Sequence, residues 1–160
     1  GERAMSEKEK REFFRFERRC QALADKFYAS RWHEIDRSQS CREFDCLLDG
    51  RWKIEEKFRT HAYNDVLIEL IQDLKSNAPG WFYETSCDYL HYFFMGDDKI
   101  IKLFRFNWKN FSSWLIKDYL PEHTQGRYVI SKKGWGITLN LSVPISDIPA
   151  KLYLSYGSEK

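Results

Sequence analysis

The chain has 160 residues, 42% hydrophobic and 17% aromatic, which suits one domain with a real core and excludes a disordered protein. Lys and Arg number 26 against 24 Asp and Glu, a net charge of +2 that says nothing by itself about nucleic acid. No run of 18 apolar residues occurs, so no membrane span is expected. The polar start GERAMSEKEK does not read as a secretory leader, and a cytoplasmic location is the expectation.

In chain order, residues 6–30 read as a long helix. Ser6 is its N-cap, and Phe13, Phe16, Cys20, Leu23, Ala24 and Phe27 form its apolar face. Glu17 falls at the edge of that face, beside Ala24. RWHEIDR at 31–37 reads as a short strand, and 42–48 with 51–59 as a hairpin turning at Asp49-Gly50. NDVLIELIQDLKS at 64–76 reads as a second helix capped by Asn64, with Val66, Leu67, Leu70, Ile71 and Leu74 inward, and SNAPG at 76–80 as a turn. DYLHYFFM at 88–95 and KIIKLFRF after it read as strands. Asn107 then caps a helix that buries Trp108, Phe111, Trp114 and Leu115, and 127–131 and 135–143 read as a last pair of strands. The order predicts a single α/β (α+β) domain over 1–160, with a mixed central sheet flanked by helices.

Basic residues cluster at Lys8, Lys10, Arg11, Arg15, Arg18 and Arg19, and again at Arg51, Lys53, Lys57 and Arg59, faces that suit a polyanion. Cys20, Cys41, Cys46 and Cys87 form no C-x-x-C pair and read as reduced thiols. The four histidines are scattered, and no glycine-rich nucleotide loop occurs.

The chemistry concentrates in FDCLLDGRWKIEEKFR, residues 44–59. Strand alternation puts Trp52, Ile54, Glu56 and Phe58 on one face and Arg51, Lys53, Glu55 and Lys57 on the other. The face of Asp45 depends on the turn. A two-residue Asp49-Gly50 loop sets Asp45 opposite Ile54. A three-residue loop, Leu48-Asp49-Gly50, sets it opposite Lys53 and diagonal to Glu55, gathering Asp45, Glu55 and Lys57. Two carboxylates so placed repel unless a cation lies between them, and hard oxygen ligands favour Mg²⁺ or Mn²⁺. A lysine beside such an ion can orient a water or neutralise charge on a phosphate, as phosphodiester hydrolysis needs. An ordinary cross-strand ion pair is the competing reading.

These residues resemble the PD-(D/E)XK nuclease superfamily, which includes Holliday junction resolvases and restriction-type endonucleases. FRFERRC at 14–20 resembles its first-helix pattern, Asp45 its metal-binding Asp, and Glu55 with Lys57 its third motif. The resemblance covers about 6–95 and implies a restriction-endonuclease-like core: helix, three-strand meander, helix, strand. Residues 96–160 would extend it with further strands and a helix. It implies Asp45, Glu55 and Glu17 as metal ligands, Lys57 as the catalytic lysine and Gln72 on the second helix facing the site, with Glu69 a weaker candidate. It further implies a Mg²⁺ or Mn²⁺ cofactor, DNA as substrate, and a homodimer for cutting two strands. Phe44 stands where the family often has proline, and Glu56 next to Glu55 leaves the ligand ambiguous until the spacing to Lys57 selects Glu55. The expectation is a metal-dependent endodeoxyribonuclease; the alternative is a nuclease-like fold that binds nucleic acid or regulates without catalysis.

Overall fold

In the structure, a computed structural model describing residues 6–123, 127–133 and 136–157, Ser6 caps the first helix, α1 (Glu7–Ala29). Its hydroxyl accepts the Glu9 N–H at 3.1 Å, and Glu7 and Glu9 sit where the helix dipole favours negative charge. Cys20, Ala24 and Tyr28, four residues apart, are buried, with Phe16, Leu23 and Phe27 packed around them. Phe13 departs from the expected face: residues 7–15 are all exposed, and Phe13 with them. Among the described residues, no helix is long and apolar enough to cross a membrane.

The strands are β1 (Ile35–Asp36), β2 (Cys46–Leu48), β3 (Trp52–Arg59), β4 (Asp65–Asp73), β5 (Ala78–Pro79), β6 (Tyr89–Gly96), β7 (Lys99–Asn107), β8 (Tyr128–Lys133), β9 (Gly136–Pro144) and β10 (Tyr153–Gly157). Six form a mixed sheet in the order β1-β2-β3-β6-β7-β10. Every neighbouring pair in it is antiparallel except β3 and β6, which run parallel with Glu55 beside Leu90 and Lys57 beside Tyr92. The other four form a second, antiparallel sheet, β5-β4-β9-β8. The C-terminal strands therefore divide: β7 and β10 extend the first sheet, and β8 and β9 belong to the second.

The segment 64–76 is the main correction. It is strand β4, not a helix. Val66, Leu67, Leu70, Ile71 and Leu74 fit helical spacing, but Val66 and Ile68 fit strand alternation equally, and these two are fully buried. β-Branched residues and pairing with β9 decide for the strand. Leu74 is exposed, and the Asn64 carbonyl accepts from Ile145 instead of opening a helix.

The first sheet thus has α1 on one face and the second sheet on the other, rather than helices on both. Ile54, Phe93, Met95 and Leu103 pack with α1 in one core. Leu90, Tyr92, Phe94, Phe104 and Phe106 point the other way, into a larger core with Val66, Ile68, Leu141 and Val143. A short helix, α2 (Trp81–Glu84), and α3 (Trp108–Trp114) close that second core. Asn107 caps α3 as expected, accepting the Asn110 N–H at 3.1 Å, and Trp108, Phe111 and Leu115 are buried. Trp135, the expected start of the last strand, lies outside the described residues.

Candidate functional site

The turn after β2 sets the site. Leu48 pairs with Trp52, so Asp49, Gly50 and Arg51 make the loop. Asp49 and Gly50 have φ of 56° and 63°, and the Arg51 N–H donates to the Leu48 carbonyl at 3.1 Å, as in a type I′ turn. Arg51 is the extra residue, so the loop has an odd length but not the expected composition. The register puts Cys46 beside Ile54, and one further step sets Asp45 opposite Glu55 rather than Lys53. The Asp45 N–H donates to the Ile54 carbonyl at 2.8 Å, and its Oδ2 accepts the Glu56 N–H at 2.6 Å.

Asp45, Glu55 and Lys57 thereby share the face turned toward the second sheet. Lys57 Nζ lies 3.3 Å from Glu55 Oε1 and 4.9 Å from the centre of the Trp81 ring. Trp81 reaches this position because Gly80 lets α2 approach β4; a Cβ at residue 80 would run into the Glu69 carbonyl oxygen. Glu69 Oε1 also accepts the Trp81 N–H, at 3.4 Å.

The electrostatics follow from burial. Desolvation pushes the Glu55 carboxyl up to about 8; Lys57 opposes the shift and the neighbouring Asp45 adds to it. Asp45 is raised as well, first by desolvation, against the Glu56 N–H, Lys57 and Arg37, with the Glu17 charge raising it further. Glu17 is half-buried on α1 and acts on Asp45 through this field. Three of the expected site residues, Asp45, Glu55 and Lys57, are therefore brought together, whereas Glu17, expected as a third metal ligand, stands on α1 on the opposite side of the sheet and reaches Asp45 only through its charge. Gln72 is not brought in either: it is exposed on β4, in the second sheet, because the helix expected to carry it is a strand.

Glu56 points to the α1 face, as its position in the strand requires, and is nearly as buried as Glu55. Arg37 Nη1 and Nη2 bind its two oxygens at 2.7 and 3.0 Å, and the Tyr28 hydroxyl donates to Oε2 at 2.6 Å. Arg37 is held in turn by Asp25 Oδ1, through Nε at 2.9 Å. Tyr28 has one proton and gives it to Glu56, so its 3.0 Å contact with His91 requires Nδ1–H of the imidazole to donate. Burial holds His91 well below its ordinary value, hence neutral, and Nε2 is left as a buried acceptor with no partner among the described residues. Sequence reasoning missed Arg37, Tyr28, Asp25 and His91. Trp81 packs against the larger core and also lies under Lys57.

Among the described residues, no group of three or more His, Cys, Asp and Glu is arranged to hold a metal ion. No protein-family model, curated protein or solved structure matches the chain.

Proposed function

We propose that the chain is a metal-dependent nuclease of the PD-(D/E)XK kind, hydrolysing phosphodiester bonds in DNA. The observation that carries the reading is the convergence of Asp45, Glu55 and Lys57 on one face beside a parallel strand pair, with both acids raised first by burial and Glu55 raised further by the Asp45 charge. The strand order of the first sheet supports it: a helix, then a three-strand meander, then a strand parallel to the third, with a further antiparallel strand beyond. The crossover between β3 and β6 departs from the expectation, since β4, β5 and α2 stand where a long helix was expected.

A pair of desolvated carboxylates fits Mg²⁺ or Mn²⁺. Mg²⁺ is commonly held by one or two carboxylates plus substrate phosphate, so a site of two acids needs no third protein ligand. Asp45 and Glu55 would hold the ion, with Glu17 adding negative field. When bound, it would supply Lewis-acid polarisation of the phosphoryl oxygen and a lower pKa for water. Lys57, beside Glu55 and held against Trp81, orients the attacking water and offsets charge that builds on the phosphate. Lys8, Arg11, Arg15 and Arg18, spaced at three and four residues, form an exposed stripe on the outer side of α1, away from its buried face, suited to a phosphate backbone.

The deciding experiment is Mg²⁺-dependent cleavage of DNA by the wild type, Asp45→Asn and Lys57→Ala. Asparagine keeps an acceptor for the Glu56 N–H, so the fold is retained. Activity in the wild type and its loss in both variants is the expected result; undiminished cleavage by both removes the proposal. If the wild type binds DNA without cleaving it and takes up no Mn²⁺ by calorimetry, the non-catalytic reading replaces it.

A further inference from the structure

Glu56 poses a question that stability does not answer. The α1 face around it is apolar, and a buried ion pair is often no more stabilising than well-packed hydrophobic residues of the same volume. Yet position 56 carries a carboxylate, and four residues from three parts of the fold supply its surroundings: Asp25 and Tyr28 from α1, Arg37 after β1, and His91 on β6, its direct neighbour across the parallel pair. The residue so clamped is the one whose N–H donates to Asp45 Oδ2 at 2.6 Å, and it directly follows Glu55.

We infer that Arg37 is a positioning residue for the carboxylate pair: by gripping Glu56 on the far side of the sheet it fixes where the Glu56 N–H holds Asp45 and where Glu55 faces it. The inference rests on the nuclease reading for its purpose, but its geometry stands without it. The Arg37 fork, braced by Asp25, sets the height of β3 relative to α1 and β1. The Tyr28 hydroxyl adds a second brace from α1, and His91 on β6 holds that hydroxyl in turn. Groups behind a metal ligand typically change metal affinity or activity by about 10–100-fold when removed.

The test compares wild type, Arg37→Gln, Arg37→Lys and Tyr28→Phe by three readouts. The first is the Glu56 amide proton resonance in protein without metal, which the short bond to a carboxylate places downfield. The second is Mn²⁺ affinity by calorimetry, and the third is cleavage rate. Arg37→Gln should move the Glu56 amide upfield and weaken Mn²⁺ at least about tenfold. Arg37→Lys, which keeps the charge and loses the fork, should fall between. Tyr28→Phe, which keeps the volume, should give the smallest shift in the same direction. A folded Arg37→Gln with an unmoved Glu56 amide and wild-type Mn²⁺ affinity overturns the inference; if that variant does not fold, the same result in Arg37→Lys and Tyr28→Phe overturns it. A wild type that neither binds Mn²⁺ nor cleaves sinks the nuclease reading instead, and the amide shifts then still report on the clamp.

Discussion

Glu55 and Glu56 are adjacent in one strand, almost equally buried at 4% and 5% exposure and both raised by desolvation, yet their partners differ. Glu56 is surrounded by matched donors: both nitrogens of the Arg37 fork and the Tyr28 hydroxyl. Glu55 faces another acid and has one lysine at 3.3 Å. Equal burial therefore hides unequal surroundings: Glu56 is matched by donors from two parts of the fold, whereas Glu55 has Lys57 alone among the described residues, and the proposed metal site rests on that shortfall.

Four experiments test the contrast. The largest effect falls on the uncompensated face: Lys57→Ala should lower Mg²⁺-dependent cleavage by about 10²–10⁴-fold, the usual worth of a positioned proton-handling group, with an unchanged circular dichroism spectrum. On the compensated face, Arg37→Leu leaves a buried carboxylate without its partner and should cost about 3–5 kcal/mol in denaturant unfolding. A loss below about 1 kcal/mol would mean that Glu56 is not truly held by Arg37.

Glu55→Gln should do the reverse and stabilise the metal-free protein near pH 8. In the folded state Glu55 holds its proton up to about 8, whereas the unfolded chain releases it near 4.5. Between those values the folded state binds more protons, so stability falls as pH rises. Asp45, also raised, acts in the same direction. Melting curves with a chelator from pH 5 to 8.5 should decline less in Glu55→Gln than in wild type, and parallel curves would refute the assignment. The smallest effect is at Gln72: exposed on β4, its change to Ala should leave cleavage unaltered and stability within about 0.5 kcal/mol. Lost cleavage there would show that the second sheet reaches the substrate.

Much of this contrast was legible because it is local. Period-two alternation separates Glu55 from Glu56 without any tertiary knowledge, and an Asp-Gly turn with one extra residue returns Asp45 to the face of Glu55. The α1 helix and the Asn107 cap were readable for the same reason. The segment 64–76 was not, since Val66, Leu67, Leu70, Ile71 and Leu74 fit a helix while Val66 and Ile68 fit a strand, and the deciding partner, β9, lies far along the chain. The Arg37 clamp was equally hidden: Asp25 lies 12 residues before it and Glu56 19 after it, on elements that no local pattern brings together.

The one parallel pair in the first sheet also orders events in time. The β2–β3 hairpin closes over a three-residue turn, whereas β3 can meet β6 only after residues 60–88 have looped out and returned. Short closures are entropically cheap and form first, and long parallel pairings come late. Asp45 and Glu55 therefore meet while water still surrounds them, and their repulsion becomes costly only when α2 and the second sheet shut over them. The electrostatic penalty of the site falls on the final step of folding, so a cation captured at that stage would speed completion rather than initiation.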